Sequence, residues 1–450
     1  MHMSLSEVAS QLQFEHVGED AEFERVSTDT RTISQGDLFV ALRGEHFDGH
    51  DYVLQAQQSG ASAAMVSEQL KVMLPMLRVD DTRLGLGQLS SLWRGRFDIP
   101  FAAITGSNGK TTVKEMLSSI MSQQGKVLFT QGNLNNDIGV PLTLLRLQDF
   151  HDYAVIEMGA NHQNEILYLT DLVRPNVAVI TNAAAAHLEG FGSLDGVAHA
   201  KGEIFTGLNM NGTAVINADD VYAPLWKSLV GKRKLLSFGL DSQADITAQW
   251  NETMAGTQLM ISLPDAKTVS LTLALPGRHN VMNALAATAA AVAMGASEAA
   301  IKTGLEAMVP VNGRLQKLKG QAGMVILNDT YNANPASFAA AIDVLISMSG
   351  HSWLVLGDMG ELGTDSQQLH VEMGRMAREK GVQCLYATGA LSQHAVKGFG
   401  ENGYWFESKD ELTSQLSSDW QGEGAVLVKG SRLMHMEEVV SGLQAGDKLA

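Results

Sequence analysis

The residues whose types and spacing best suit chemistry stand in one glycine-rich segment, directly after an apolar run. The segment reads Thr105-Gly106-Ser107-Asn108-Gly109-Lys110-Thr111-Thr112. Gly106 and Gly109 allow backbone N–H groups to surround phosphate oxygens, and Lys110 can contact the outer phosphates. The Thr111 hydroxyl can bind Mg²⁺. Only Ser107 and Asn108 separate the two glycines, which departs from the general phosphate-loop spacing, but the segment still predicts a nucleotide site.

A helix is predicted directly after this segment. Apolar residues recur there at helical spacing, as Val113, Met116, Leu117, Ile120 and Met121. The glycine-rich segment therefore lies at a helix N-terminus, whose partial positive charge favours phosphate.

Three further side chains follow later apolar runs. Glu157 lies near the end of the strand-like run 153–158, at the edge where open α/β sheets bind ligands, and is a candidate metal ligand. His187 follows the strand-like run 177–181, and Lys201 stands near the start of a predicted helix. Considered alone, His187 is more typical of a structural histidine and Lys201 of an exposed lysine.

The composition is that of a folded, acidic protein. The chain has 450 residues, 45% of them hydrophobic, and a formal net charge of −17. No Lys/Arg-rich cluster occurs in the sequence, which argues against nucleic acid and anionic membranes as partners. The single cysteine, Cys384, excludes an internal disulfide and fits a buried strand residue in a reducing compartment. Without a signal sequence or a long apolar run, we expect a cytoplasmic protein with no membrane insertion.

Alternation of apolar strands with helical patterns predicts an α/β fold in three domains. We expect a small N-terminal α/β domain over 1–82, a central domain with a mainly parallel sheet over 83–312, and a Rossmann-like domain over 313–450. Within the central domain, the alternating apolar residues of 247–272 predict antiparallel strands.

Ordered motifs along nearly the whole chain resemble the Mur ligases, ATP-dependent amide-forming enzymes of peptidoglycan precursor synthesis. The first group comprises the segment 105–112, the run Gly132-Asn133-Leu134-Asn135-Asn136-Asp137-Ile138-Gly139-Val140-Pro141, Glu157 with Gly159-Ala160-Asn161-His162, and His187 with Ala200-Lys201. A second group is similar to the branch whose acceptor is D-alanyl-D-alanine: Gly277-Arg278-His279-Asn280, Gly313-Arg314, Asp329-Thr330-Tyr331-Asn332-Ala333-Asn334, Gly357-Asp358-Met359-Gly360-Glu361 and Val428-Lys429-Gly430-Ser431-Arg432.

The resemblance implies a ligase with three small-molecule substrates: ATP, a UDP-muramoyl tripeptide and D-alanyl-D-alanine. In this family the terminal carboxylate of the peptide attacks the γ-phosphate, and the amino group of the acceptor then attacks the acyl phosphate. Positive charge must be concentrated where the two anions meet. The implied catalytic residues are Lys110, Glu157, His187, Lys201 and Arg314.

The resemblance also implies the metal and nucleotide contacts. Thr111 and Glu157 would hold one Mg²⁺, and His187 with Lys201 a second; Lys201 matches a lysine that CO₂ carbamylates into an oxygen donor. Asn280 matches an adenine contact with His279 beside it, Asp329 a ribose contact, and Arg314 an arginine near the γ-phosphate. The implied nucleotide-binding set is Gly106, Asn108, Gly109, Lys110, Thr111, Thr112, Asn280, Arg314 and Asp329.

Substrate contacts are implied in all three domains. The first domain would hold the uridine diphosphate. The implied residues are Thr28, Asp29, Thr30, Arg31, Arg43, Gly44 and Phe47, then Asn135, Asn136, Asn161 and His162, and in the third domain Tyr331, Asn332 and Asn334. Turn-forming asparagines and a surface histidine would explain the middle group equally simply.

Three alternatives remain open from the sequence. Within the family, the enzyme that adds the third amino acid is disfavoured, because its Asp-Asn-Pro-Arg run is absent from the sequence. Folylpolyglutamate synthetase is related in fold, but the first domain here resembles a UDP-binding module. A phosphate-loop switch or motor would hydrolyse nucleotide without an acyl acceptor. The sequence does not distinguish diaminopimelate from lysine in the tripeptide, and a monomer is expected.

Overall fold

The computed structural model describes residues 1–185, 188–253 and 256–444, so His187 lies outside the described residues. Within these ranges the chain forms three successive α/β units, each built on its own sheet, as the sequence predicts. No helix in the described ranges is both long enough and apolar enough to cross a membrane.

The N-terminal unit has a five-stranded sheet in the order β2-β7-β6-β5-β4, and a short pair, β1 with β3. Its strands are β1 Met3–Ser4, β2 Glu15–Val17, β3 Glu22–Phe23, β4 Arg25–Ser27, β5 Asp37–Val40, β6 Ala63–Val66 and β7 Met76–Arg78. Its helices are α1 Leu5–Leu12, α2 Val53–Gln58 and α3 Thr82–Arg94. Helix α3 connects this unit to the next. The Thr82 hydroxyl donates to the Ala41 carbonyl of the first unit at 2.8 Å, and the helix packs against helices of the central unit.

The central unit has a six-stranded parallel sheet in the order β13-β12-β11-β8-β10-β9. Its strands are β8 Phe101–Thr105, β9 Val127–Phe129, β10 Tyr153–Glu157, β11 Val177–Ile180, β12 Thr213–Asn217 and β13 Lys234–Phe238. Its helices are α4 Lys110–Met121, α5 Gly139–Leu144, α6 Glu165–Val173, α7 Leu188–Phe191, α8 Leu194–Gly202, α9 Ala223–Val230, α10 Arg278–Ala293 and α11 Glu298–Glu306. The predicted antiparallel strands are present as β14 Thr247–Thr253, β15 Gly256–Ser262 and β16 Thr268–Leu273.

The register of the central sheet explains where a ligand could bind. Glu157 pairs with Ile104, and Ile180 pairs with Thr105, so the carboxyl ends of β8, β10 and β11 lie side by side. Such an edge of a parallel sheet is where open α/β folds bind their ligands.

Helix α4 fixes the glycine-rich segment to this sheet. Its five predicted apolar residues are all fully buried: Val113, Met116, Leu117, Ile120 and Met121. They share a core with the alanine-rich helix α10, whose small side chains allow close approach of the two helices. The predicted amphipathic helix is therefore confirmed.

The third unit has a six-stranded sheet in the order β17-β18-β22-β19-β20-β21, in which β17 alone is antiparallel. Its strands are β17 Gln316–Lys319, β18 Met324–Asp329, β19 His351–Gly357, β20 Cys384–Thr388, β21 Gly403–Phe406 and β22 Gly424–Lys429. Its helices are α12 Pro335–Ile346, α13 Ser366–Glu379, α14 Ser392–Phe399, α15 Lys409–Asp419 and α16 Glu437–Leu443. Cys384 is a strand residue as expected, but the expectation that it is buried is wrong: it is the first residue of β20 and is only partly buried.

Candidate nucleotide site

A cavity of about 1110 Å³ lies between the central and third units, at the carboxyl edge of the central sheet. Most of the predicted site residues line it: Asn108, Gly109, Lys110, Thr111, Thr112, Asn135, Asn136, Glu157, Asn161, Asn280, Arg314, Asp329, Tyr331, Asn332 and Asn334. Gly106 is buried directly beneath the loop, at the end of β8.

The glycine-rich loop owes its shape to its two glycines and to later parts of the chain. Gly109 has φ +81°, and a Cβ there would lie 2.3 Å from Oδ1 of Asn283 on α10. The backbone N–H of Ser107 donates to the Asn182 carbonyl at 2.9 Å, and the N–H of Asn108 donates to Asn182 Oδ1 at 3.0 Å. Residues after β11 and on α10 therefore brace the loop.

Lys110 folds back over this loop. Its Nζ donates to the Gly106 carbonyl at 2.6 Å and to the Ser107 carbonyl at 3.3 Å. Burial lowers the pKa of the ammonium, an effect that the nearby Glu157 opposes. A bound phosphate would add negative charge beside this buried group and so favour its charged form.

A cluster of oxygen atoms lies beside the loop. Glu157 Oε1 accepts hydrogen bonds from the Thr111 hydroxyl at 3.2 Å and from Asn135 Nδ2 at 2.8 Å. Within the described part of the chain, Glu157 Oε2 is buried and has no hydrogen-bond partner. Because a buried carboxylate oxygen without a partner is costly, this atom is suited to a cation.

The third unit contacts the loop through two side chains. Arg314 Nη2 donates to the Thr111 hydroxyl at 3.1 Å, and its guanidinium carbon lies 4.1 Å from the ring centre of Tyr331. Asn334 caps α12 and donates from Nδ2 to Asn108 Oδ1 at 2.7 Å. Residues from two units are thus brought together at one site.

Lys201 is enclosed in the central unit. Its side chain is buried, and Nζ lies 5.0 Å from the ring centre of Phe191. Burial, and then the positive charge of Lys110, lower the pKa of this amine to about 7. The sequence prediction that Lys201 stands near the start of a helix is wrong, because α8 begins at Leu194 and ends at Gly202, which places Lys201 in its last turn. The apolar spacing after residue 200 continues into a 3₁₀ turn rather than a new helix.

The remaining nucleotide candidates are held by local hydrogen bonds. Asp329 forms a buried ion pair with Lys429 and accepts from the Leu315 backbone N–H at 3.1 Å. Asn280 donates to the Pro276 carbonyl at 2.8 Å and accepts from Asn283 at 3.2 Å. Burial lowers the pKa of the adjacent His279, which favours the neutral form of its imidazole.

The candidates of the first unit do not line this cavity. Arg31 forms an exposed ion pair with Asp29 at 2.6 Å. Arg43 pairs with Asp48 at 2.8 Å and with Glu68 at 2.7 Å. The ring of Phe47, which is 56% exposed, covers Gly44, since a Cβ on that glycine would lie 2.4 Å from it. Thr28 precedes Asp29, which caps a 3₁₀ turn that begins at Thr30.

Asn136 and His162, two of the implied substrate contacts, lie in different surroundings. Asn136 Oδ1 accepts from the Gly139 N–H at 2.9 Å, so this asparagine shapes the turn before α5. His162 is exposed and lies 3.2 Å from Glu165, and it does not line the cavity.

Sequence reasoning missed several lining residues. Arg83, Leu84, Asp137, Tyr168 and Asn283 also line the cavity. Asp137 falls within a motif already singled out. The other four lie on helices, and apolar periodicity alone does not show which helix face points toward a ligand.

Three profiles of one protein family match the chain in order. "Mur ligase family, catalytic domain" matches residues 22–94, "Mur ligase middle domain" matches 104–291, and "Mur ligase, glutamate ligase domain" matches 313–432. The UDP-N-acetylmuramoyl-tripeptide–D-alanyl-D-alanine ligase of Escherichia coli K12 is 47% identical over 446 residues, which covers 98% of each chain.

Two solved structures extend the likeness to the fold. The UDP-N-acetylmuramoylalanyl-D-glutamyl-2,6-diaminopimelate–D-alanyl-D-alanyl ligase of Acinetobacter baumannii is 35% identical, with a TM-score of 0.89 and 98% of both chains covered. The MurF ligase of Thermotoga maritima in complex with ADP is 27% identical, with a TM-score of 0.84 and 93% and 96% of the chains covered.

Proposed function

The chain belongs to the Mur ligase family, and from that premise we propose that it joins D-alanyl-D-alanine to a UDP-N-acetylmuramoyl tripeptide, using ATP, in peptidoglycan precursor synthesis. The observation that carries the proposal is the Thr111 hydroxyl, which contacts Glu157 of the central unit and Arg314 of the third unit. Metal-binding oxygens and a guanidinium at this place both suit phosphoryl transfer, because they stabilise the charge on the transferred group.

The chain's own residues supply what the first step requires. A carboxylate oxygen of the tripeptide attacks the γ-phosphorus while the bond from that phosphorus to ADP breaks. Lys110 offsets the charge on the transferred group, and Arg314 offers a fixed fork of donors that does not titrate. The acceptor amine then attacks the acyl carbon, phosphate leaves, and the amine gives up a proton.

We assign Mg²⁺ to the oxygen cluster beside the loop, with Thr111 and Glu157 as its protein ligands. The unpartnered Glu157 Oε2 supports this assignment. No group of three or more His, Cys, Asp or Glu in the described ranges is arranged to hold a metal. That fits Mg²⁺, which usually takes one or two carboxylates and completes its shell with phosphates and water. A Mg²⁺ ion held there would supply neutralisation of the phosphate charge.

We propose that Lys201 is carbamylated and that this carbamate and His187 would be protein ligands of a second Mg²⁺. Only a neutral amine adds to CO₂, and the lowered pKa of about 7 leaves much of this amine neutral at physiological pH. The new N–C bond forms as one C–O electron pair moves to oxygen, and the nitrogen proton passes to water. The product is an anionic oxygen donor in place of a cation.

The remaining assignments follow the same family pattern. We place uridine diphosphate against Thr28, Asp29, Thr30, Arg31, Arg43, Gly44 and Phe47, adenine at Asn280 and ribose at Asp329. We place the peptide and acceptor side at Asn135, Asn136, Asn161, His162, Tyr331, Asn332 and Asn334. We propose domains over 1–82, 83–312 and 313–450, with α3 as the helix that bridges the first two, and diaminopimelate as the third residue, as in the name of the A. baumannii relative. We further propose a cytoplasmic monomer.

Phosphate release with each substrate omitted in turn tests the function. We expect ATP turnover only when both the tripeptide and D-alanyl-D-alanine are present, with a stoichiometric pentapeptide product by mass spectrometry. Tripeptides ending in diaminopimelate and in lysine should be compared at equal concentration. ATP hydrolysis at the full rate without either peptide would instead indicate a switch or motor protein.

A further inference from the structure

Arg83 lies where the first unit meets the cavity. It is in the first turn of α3, where Asp81 accepts its backbone N–H at 2.7 Å. The adjacent Thr82 is bonded to the end of the first sheet. The guanidinium crosses to the central unit and pairs with Asp137 at 3.2 Å. Arg83 and Asp137 both line the cavity, so this ion pair faces the space that a substrate would occupy.

Arg83 could exchange its partner Asp137 for a carboxylate of a ligand. Its side chains are 50% and 33% exposed, and an ion pair this exposed to water contributes little stability. A ligand carboxylate could therefore replace Asp137 at small cost, and a guanidinium can bind a carboxylate through two parallel hydrogen bonds.

The other cations of the cavity are already engaged elsewhere. Lys110 and Arg314 contact the phosphate loop. In the third unit, Lys429 pairs with Asp329, and Arg432, which also lines the cavity, pairs with Glu437 at 2.9 Å. Among the described lining residues, Arg83 is the arginine that stands on the side of the first unit. A substrate whose nucleotide lies on the first unit and whose peptide reaches Thr111 must pass this side.

A second donor lies nearby. Tyr168 lines the same cavity, and burial together with the carboxylates of Asp137 and Asp81 raises its pKa to about 12. Its phenol stays protonated at neutral pH, and its buried oxygen has no partner among the described residues.

We propose that Arg83 is a specificity-determining residue, which releases Asp137 and binds the free carboxylate of the tripeptide's D-glutamyl residue. This inference rests on the proposed function. We infer this carboxylate because it takes no part in the reaction and is present whether the tripeptide ends in diaminopimelate or in lysine. Its recognition would hold the peptide in register, so that the terminal carboxylate reaches the γ-phosphate.

The test compares Arg83→Gln with the unchanged protein on two tripeptides, one with the glutamyl carboxylate free and one with it amidated. With the free acid, we expect Arg83→Gln to raise KM by about 10- to 100-fold, because a charge-assisted pair with the substrate is lost. The value of kcat should change less than about threefold. With the amide, the unchanged protein should already bind weakly, and the substitution should add less than about twofold. Arg83→Lys should recover part of the loss.

Matched variants separate recognition from structure. Asp137→Asn breaks the same ion pair but keeps the cation, so it should not raise KM for the free acid. An equal effect of Arg83→Gln on acid and amide, or a rise in KM for Asp137→Asn as large as that for Arg83→Gln, would overturn the inference. A KM rise that appears with diaminopimelate but not with lysine tripeptides would move the contact to the third residue and also overturn it. If the unchanged protein forms no pentapeptide, the proposed function has failed instead.

Discussion

Lys110 is a cation placed where the transferring phosphoryl group would gain charge. It is held over its own loop by two carbonyl oxygens. Because these bonds are local, the side chain can turn to a phosphate without disturbing the core around it.

We expect Lys110→Ala to lower ADP and phosphate release at least about 100-fold, the usual loss when one charge-stabilising donor is removed. Thermal unfolding should be nearly unchanged. Lys126→Ala, at an exposed position at the start of β9, is the matched control and should keep full turnover. Near-normal turnover by a folded Lys110→Ala protein would contradict the assignment.

If Lys201 is carbamylated, the activity of the protein should depend on pH and on dissolved CO₂. Its amine has a lowered pKa of about 7, so the neutral form that adds to CO₂ grows as the pH rises through that value. At fixed dissolved CO₂, carbamylation and activity should therefore rise between about pH 6 and pH 8. Depleting CO₂ should lower activity at every pH, and adding bicarbonate should restore it.

Substitution gives a second measurement on this residue. Lys201→Ala should be nearly inactive and partly restored by small carboxylic acids, which can occupy the vacated oxygen-donor position. The exposed Lys227→Ala should be active without additive and indifferent to the acids. Full activity of Lys201→Ala with no additive would show that the lysine has no such role.

At the scale of elements, the phosphate loop depends on contact between α4 and α10. Gly109→Ala should lower the free energy of unfolding by about 2 kcal/mol or more, because the left-handed backbone and the 2.3 Å approach to Asn283 both oppose a Cβ. Gly132→Ala is the control, since Gly132 has φ +54° with open space around it, and should cost about 1 kcal/mol. Urea unfolding measures the free energy of unfolding of both variants. Equal losses of stability would mean that the contact with Asn283 does not matter.

Apolar patterning predicted these elements well. The spacing from Val113 to Met121 gave α4, because burial of one helix face leaves a regular pattern. The continuous apolar runs gave β10 and β11 to within about a residue, because strands of a covered parallel sheet are buried on both faces. The pattern misplaced Lys201, since α8 has a weakly apolar face that continues into a 3₁₀ turn. Arg83 was missed because its role depends on which helix end meets the cavity, and that is set by tertiary packing.

At the scale of the whole molecule, the third unit completes the site by contact. Arg314 and Asn334 reach the loop at 3.1 and 2.7 Å, and such small polar contacts between units can open and close. We expect the radius of gyration measured by X-ray scattering to fall when an ATP analogue and the tripeptide are both added. Tripeptide alone is the control and should cause a smaller change. Superimposable profiles at saturating concentrations of both would rule closure out.

The bracing of the loop also bears on synthesis of the chain by a ribosome. The loop residue Asn108 emerges 74 residues before its partner Asn182, and Asn283 follows much later. Domains fold largely as units during synthesis, so a nascent chain that stops before α10 holds a loop without its final support. Nucleotide capture should therefore begin only after α10 has left the exit tunnel, and truncated nascent chains ending before residue 278 should not be retained on immobilised ATP.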